Sequence, residues 1–452
     1  MTYRPAPRIT ALGEGFYDEV VPARFRKHVP RFRNQRWAER VGLGSLDAAA
    51  WESHFARFEP LADNLTKPLA LRYHGHQFDV YNPSLGDGRG FLFAQLEDDA
   101  SRLLDLGTKG SGTTPWSRGG DGRLTLKGGV REVLATEMLE ALGVNTSKSL
   151  SLFETGDELT RGDEPSPTRS SVLVRLSHSH VRFGTFQRYA YERDTKRLDA
   201  LLAYSIANYF PHIDGPDRVT KFLREVTRRS AVLTASWLAS GFVHGVLNSD
   251  NMTITGESFD YGPYRFLPTY DPTFTAAYFD HDGLYAYGHQ PRAVLRNLVR
   301  LGEALRPLSP DVSLSSALGE FQPIMEAEIT KRLLARLGLR PSGDTDGALV
   351  DAIHAFLEVS EVGYDQFFFD LHGGLRRFEP NAHYAGPHWD VLHALLELYE
   401  PSAEAVSAYF DGKGPCTLLI DEIEEIWSAI ATRDDWAPFE AKIDQIRTVP
   451  SR

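Results

Sequence analysis

The run His244-Gly245-Val246-Leu247-Asn248-Ser249-Asp250-Asn251 is followed, after a short gap, by Asp260-Tyr261-Gly262-Pro263. Asn251 and Asp260 offer hard oxygen ligands of the kind that Mg²⁺ and Mn²⁺ take. Mg²⁺ in particular usually keeps one or two protein carboxylates and completes its shell with water and nucleotide phosphates. Asp250, the neighbour of Asn251, is a spare carboxylate at the mouth of the same loop. So placed, it can accept the proton of an attacking hydroxyl, work that typically contributes about 10²–10⁴-fold.

Order and spacing match the protein-kinase catalytic pattern, H-R-D-L-x-x-x-N followed by D-F-G. His244 stands at the His, Leu247 at the Leu, and Asn251 at the metal-binding Asn. Asp260-Tyr261-Gly262 stands for D-F-G. Where a kinase keeps its catalytic Asp, this chain has Val246. The metal pair is kept and the usual base is gone.

Upstream of this stretch the chain has strands first and helices later. Phe91–Leu96 alternates, and Leu103–Thr108, Leu150–Phe153 and Val172–Leu176 read as further strands. Thr113–Gly129 reads as a loop dense in Gly, Ser and Arg. Val130–Leu142 has helical spacing, with Gly143 placed to stop it. Glu154–Pro167 reads as a hairpin-like excursion. Leu198–Tyr209 is predicted helical and ended by Pro211. Val219–Ala239 is the helix that delivers the chain to His244. Residues 264–290 read as aromatic loop. Helices are predicted again over Pro291–Leu305, Leu314–Leu337, Gly347–Glu358, Asp390–Tyr399 and Asp421–Ile430.

This order predicts an α+β, bilobal, protein-kinase-like fold with extensions at both ends. Residues 1–65 form an arm that packs on the core, loosely structured apart from a helix around Ala48–Phe58. Residues 66–190 form a strand-rich N-lobe with one helix, 191–310 a helical C-lobe, and 311–452 a helical extension.

Other candidates lie in the predicted N-lobe. Gly86-x-Gly88-x-Gly90 gives backbone room for phosphate, and Arg89 can fork onto it. Lys109 ends the second strand, where a kinase places the lysine that touches nucleotide phosphates. Its carboxylate partner on the next helix is Glu132 or Glu137; helical geometry alone does not choose, but whichever faces inward must be paired. Arg175 and Arg182 leave the last strand and can clamp a terminal phosphate. The His74/His76 and His178/His180 pairs have no third ligand nearby and are weak as metal sites.

Composition bounds the rest. The chain has 452 residues and a net charge of −12, so a broad nucleic-acid surface is not expected. No apolar run approaches the roughly 18–20 residues of a membrane span. Met1–Arg26 lacks the apolar core of a secretory leader. Cys416 is the single cysteine, which excludes an intrachain disulfide and fits a reducing, cytoplasmic setting.

Several motifs together resemble the selenoprotein O family of kinase-like proteins. They are Tyr73-His74-Gly75-His76-Gln77-Phe78, Leu85–Gly90, Thr114-Pro115-Trp116-Ser117-Arg118 running into Asp121-Gly122-Arg123, Arg131-Glu132, Ser179–Phe186, the 244–263 stretch, and Gln290-Pro291 with Asn297-Leu298. The resemblance covers about residues 30–300 and is weaker beyond. It implies transfer of AMP from ATP to hydroxyl side chains of proteins, with ATP bound flipped relative to a kinase. UMP transfer from UTP with Mn²⁺ is the alternative that a related bacterial member suggests. By motif, Gly86, Gly88, Arg89, Asp121 and Gly122 would contact the nucleotide. Lys109 would pair with Glu132, and Arg175 and Arg182 would hold the outer phosphates. Asp250 would be the base, and Asn251 and Asp260 would bind Mg²⁺ or Mn²⁺. Arg296 stands where relatives tend to carry Trp, with packing the expected role. A Cys-pair redox switch, which some members use, is not expected here.

Overall fold

A computed structural model describes residues 2–162, 164–309, 313–402 and 407–450. The boundary expected at 310–311 and the terminal Ser451 and Arg452 fall outside the described residues. The architecture is mixed: an antiparallel sheet carrying one long helix, then a helical C-terminal part.

In chain order the strands are β1 (Tyr17–Glu19), β2 (Val29–Arg33), β3 (Leu69–Leu71), β4 (Gly75–Gln77), β5 (Val80–Asn82), β6 (Leu92–Glu97), β7 (Leu103–Lys109), β8 (Leu124–Thr125), β9 (Lys148–Leu159), β10 (Thr168–Ser177), β11 (Phe242–Val243) and β12 (Arg265–Phe266). The main sheet runs β1-β3-β6-β7-β10-β9-β2, with β8 on β10. Every pairing in it is antiparallel. β4–β5 is a separate hairpin and β11–β12 a two-stranded ribbon. The strands expected at 91–96, 103–108, 150–153 and 172–176 are present. β9 and β10 run longer than expected, because the first six residues of the Glu154–Pro167 excursion stay in β9 and pair with β10 as far as Thr168↔Leu159.

The helices are α1 (Gln35–Arg40), α2 (Ala48–Phe55), α3 (Leu126–Ala141), α4 (Phe183–Tyr191), α5 (Thr195–Tyr209), α6 (Arg218–Ala239), α7 (Gln290–Leu305), α8 (Leu314–Leu318), α9 (Phe321–Arg336), α10 (Asp346–Val359), α11 (Tyr364–Asp370), α12 (Pro387–Leu396), α13 (Ile420–Arg433) and α14 (Ala437–Arg447). α3 starts four residues before the expected Val130. Thr125 caps it by accepting from Gly128 N–H at 3.0 Å. Gly129, which reads as loop, is helical because the helix lies against the sheet there. A Cβ on it would meet Leu152 Cδ1 at 2.5 Å and Ser171 Oγ at 2.6 Å. The helix expected over Leu314–Leu337 breaks into α8 and α9 at Gly319.

Residues 2–65 pack on the core as expected, but they are not loosely structured. β1 and β2 are the two edge strands of the sheet, three and five residues long, and short edges of this kind limit pairing with another chain. Trp37, Trp51 and Phe55 of α1 and α2 are buried with Phe91, Phe93 and Phe153 of the sheet region. Each large side chain so buried contributes about 1.5–3 kcal/mol. At the other end, α13 and α14 return to the sheet part. Arg447 Nε donates to Glu137 Oε2 at 2.9 Å, and Lys127 pairs with Glu424 at 2.7 Å. Among the described residues, no helix is long and apolar enough to cross a membrane.

The two parts are joined close to the central stretch. Ser258 N–H donates to Asn145 O at 2.8 Å, and Asn145 Nδ2 donates to Gly256 O at 2.9 Å. Between these anchors Glu257 is buried, its carboxylate accepting from His178 N–H at 2.9 Å. Burial pushes Glu257 up to about 7, against the pull of Lys148 and Arg102 and aided by Asp105. The His178 ring is pushed down to about 4 by burial and stays neutral. The folded protein therefore holds the Glu257 proton more tightly than the unfolded chain does. That contribution is complete below about pH 4.5 and is lost as pH rises through 7. Glu257→Gln keeps the acceptor oxygen and removes the titration. It is expected to match the wild type near pH 4.5 and to exceed its stability at pH 8.5 by on the order of 2–3 kcal/mol. Urea midpoints at the two pH values check this; a difference that does not change with pH contradicts it.

Candidate active site

α6 and β11 lead directly into the 244–251 stretch, and β12 pairs back onto β11 as Phe242↔Phe266 and Val243↔Arg265. This ribbon sets His244 and Tyr261 side by side, with rings 5.9 Å apart. His244 is buried, its Nε2 3.0 Å from Phe259 O, and its backbone N–H donates to Gln290 Oε1 at 3.1 Å. It is an anchor, held neutral by burial. Tyr261 is buried and bonds through its hydroxyl to Thr146. Val246 has a backbone role: its carbonyl accepts from Asn251 Nδ2 at 3.0 Å. That bond uses the donor end of the Asn251 amide and leaves Oδ1 as an acceptor. Asp260 holds a left-handed backbone at φ +65°, uncommon for a residue other than glycine.

Lys109, at the end of β7, reaches Glu132 of α3 and lies 2.6 Å from Asp260. Glu137 is buried too, but Asn34 (2.9 Å) and Arg447 satisfy it. Both inward glutamates are thus paired, and only Glu132 serves Lys109. Arg175 is 3.4 Å from Asp260. Arg182 donates to Asp250 O at 2.8 Å and to Asp87 Oδ1 at 3.1 Å, and lies over the Tyr73 ring at 4.3 Å. Asp121 is forked by Arg161, at 2.8 and 3.0 Å.

The glycine turn is packed closely against neighbouring chain. None of Gly86, Gly88 and Gly90 has a positive φ. Their missing side chains make room for neighbouring chain: a Cβ on Gly86 would meet the Trp116 ring at 2.4 Å. On Gly88 it would meet Trp116 O at 2.9 Å, and on Gly90 Thr108 O at 2.1 Å. Trp116 is held over the turn by Asp18, which accepts its Nε1–H at 2.9 Å.

Of the site residues expected from the sequence, all but Glu132 line one cavity of about 750 Å³: Gly86, Gly88, Arg89, Lys109, Asp121, Gly122, Arg175, Arg182, Asp250, Asn251 and Asp260. Seven cations, with Arg118, Arg123 and Arg161 added, face four aspartates there. In a chain of net −12 this is a concentrated site for a polyanion. Lys109, Arg175, Arg89 and Arg182 hold Asp260 well below the usual carboxylate range. Asp250 goes the other way. Burial pushes it up to about 6, and its Oδ1 is buried with no hydrogen-bond partner. Among the described residues no group of three His, Cys, Asp or Glu side chains could hold a metal ion by itself. Asn251 and Asp260 fit a hard cation that arrives with phosphate oxygens to complete its shell.

The sequence reading missed Asp87, Tyr73, Trp116, Asn248 and Arg161. Asp87, Asn248, Tyr73 and Trp116 stand inside the quoted motifs without an assigned role, and Arg161 reaches the site only through tertiary contacts. Arg296, expected to pack, instead pairs with Asp79 at the tip of the β4–β5 hairpin, as does Arg300 at 2.6 Å. Three of the four histidines have hydrogen-bond partners, His74 with Tyr81 Oη at 2.8 Å, His76 with Gln187 at 2.9 Å and His180 with Asp105 at 3.3 Å, and the His178 ring packs edge-on to Tyr209 at 5.6 Å.

A family profile described as protein adenylyltransferase SelO matches residues 1–447, well past the 30–300 span of the motif resemblance. Three relatives are similar along nearly their whole length, each described as protein nucleotidyltransferase YdiU. The one from Gloeobacter violaceus is 46% identical over 463 residues, covering 99% of this chain and 95% of the relative. Those from Trichodesmium erythraeum and Synechocystis are 44% and 43% identical, each covering 99% of this chain and 98% of the relative. With a matching profile over the chain and relatives this close, the chain belongs to the SelO family of protein adenylyltransferases.

Proposed function

We propose that this chain is a protein nucleotidyltransferase that moves AMP from ATP to Ser, Thr or Tyr hydroxyls of proteins, releasing pyrophosphate. The observation that carries this is the cavity's charge arrangement. Buried Arg175 and the Lys109–Glu132 pair gather at Asp260, buried Arg182 stands in the same cavity on Asp87 and the Asp250 carbonyl, and no carboxylate stands at Val246. Arginines so placed suit the outer phosphates of a nucleotide that enters γ-end first. The α-phosphate then faces the acceptor, and a base at the Val246 position has no use. Lys109, Arg89, Arg175 and Arg182 offset phosphate charge, and Asp250 takes the acceptor's proton. Mg²⁺ or Mn²⁺ held by Asn251 and Asp260 would neutralise charge on the phosphate oxygens.

In this reading the sheet part with α3 is the N-lobe of a kinase-like bilobal fold, about residues 66–190, and 191–310 is the C-lobe. The described residues of the 1–65 and 311–452 segments brace it. A reducing cytoplasm suits the single, buried Cys416, whose thiol burial pushes up to about 11.

Incubation with ATP labelled at the α or the γ position tests the reading. Label is expected to reach protein from the α position only. Transfer from γ alone makes the enzyme a phosphotransferase, and ATP binding without transfer makes it a scaffold. Repeating the α-label experiment with UTP, in Mg²⁺ and in Mn²⁺, decides the base and the metal.

A further inference from the structure

Asn248 stands two residues before Asp250 and lines the same cavity, although only 5% exposed. Its Oδ1 accepts two hydrogen bonds from different segments. Phe78 N–H, at the tip of the β4–β5 hairpin, donates at 3.1 Å. Tyr285 O–H donates at 2.7 Å. Two donors on one atom settle which end of the amide is oxygen, so Nδ2 is the remaining end. Nδ2 has no hydrogen-bond partner among the described residues.

Both donors are themselves fixed. Asp280 accepts from Tyr285 N–H and Leu284 N–H, each at 2.8 Å. The hairpin is pinned by His76 N–H to Ser249 Oγ at 2.8 Å, and Ser249 Oγ in turn donates to Gln187 Oε1 at 2.6 Å. An amide this constrained, with its donor end unused in the cavity that Asp250 also lines, is set up for a ligand acceptor.

We propose that Asn248 is a further catalytic residue, its Nδ2 donating to a non-bridging oxygen of the α-phosphoryl group. This rests on the α-transfer reading above. In that reaction the acceptor oxygen bonds to the α-phosphorus, and the bond from that phosphorus to the pyrophosphate oxygen breaks. The leaving pyrophosphate keeps the electron pair, and the acceptor's proton passes to Asp250. A donor fixed beforehand at the α-phosphoryl oxygen stabilises the charge that shifts onto it. Loss of one such donor typically costs about 10²–10³-fold.

The test compares wild type, Asn248→Ala and Tyr285→Phe, using ATP and the Rp and Sp isomers of adenosine 5′-O-(1-thiotriphosphate). Asn248→Ala is expected to slow transfer from ATP about 10²-fold with ATP affinity unchanged. Sulfur is a weak acceptor. For the isomer with sulfur at the Asn248 oxygen, wild type is already slowed and Asn248→Ala adds little. For the other isomer the full loss returns. Tyr285→Phe, which only loosens the amide, is expected to show the same isomer pattern at smaller size. It keeps the test available if Asn248→Ala fails to fold. Equal losses on ATP and both isomers mean packing alone and overturn the proposal, as does an undiminished rate. Wild-type transfer from the γ position overturns the α-transfer reading and this proposal together. Wild-type α-transfer with equal variant losses overturns this proposal only.

Discussion

Asp260→Ala is expected to abolish transfer, with a fall of about 10³-fold or more, because neutralisation of phosphoryl charge by a metal is worth several kcal/mol. The structure adds a second expectation. Asp260 lies 2.6 Å from Lys109 and 3.4 Å from Arg175, and their charge keeps it ionised. Its stabilising contribution is present above about pH 3.8 and is lost only as pH falls through its depressed value. Removing it frees Lys109 and Arg175 to attract phosphate. Nucleotide binding in the presence of a chelator is therefore expected to hold or tighten, while the increment that Mg²⁺ or Mn²⁺ adds disappears. Calorimetric titration of ATP, with and without metal, measures both. Wild-type-like activity, or a metal increment that survives the substitution, removes Asp260 from the metal site.

The opposite behaviour of two neighbouring aspartates shows what a sequence can and cannot say here. The identity and placement of Asp250 and Asp260 were legible, since one adjoins Asn251 in the run from His244 and the other opens Asp260-Tyr261-Gly262. Their protonation was not, because it depends on cations brought from β7 and β10 and on burial under the β4–β5 hairpin. The strands at 91–96 and 103–108 were legible because their apolar pattern is local. The β1 and β2 edges were not, because a three-residue strand and a proline-containing five-residue strand carry little periodic signal and form only by docking on β3 and β9. The Gly128-Gly129 pair misled for a related reason. Glycine lowers helix propensity, yet close approach of α3 to Leu152 and Ser171 requires it. The choice between Glu132 and Glu137 could not be made from helical geometry, since both face inward. It is settled by what each meets: Lys109 for one, Asn34 and Arg447 for the other.

Asp250→Asn separates chemistry from binding. The Asp250 side chain accepts no protein hydrogen bond at Oδ1, while its backbone carbonyl is what Arg182 grips. An isosteric amide therefore breaks no bond at Oδ1 and leaves the backbone contact to Arg182 in place. A Cβ on Gly75 would come within 3.0 Å of the same Oδ1, so the site is shaped tightly around this side chain and a larger replacement would not fit. Asparagine fits, but it cannot take a proton. Transfer is expected to fall by about 10²–10⁴-fold. ATP affinity, and its enhancement by Mg²⁺ or Mn²⁺, are expected to stay at wild-type values because Asn251 and Asp260 remain. Asp260→Ala and Asp250→Asn should thus look alike by turnover and different by calorimetry. Single-turnover transfer of α-label, alongside the titrations used for Asp260→Ala, makes the comparison. If Asp250→Asn lost the metal increment as well, Asp250 would belong with the metal ligands. The acceptor's proton would then need another base, and none of the other carboxylates lining the cavity is free: Asp87 is held by Arg182, Asp121 by Arg161, and Asp260 by Lys109.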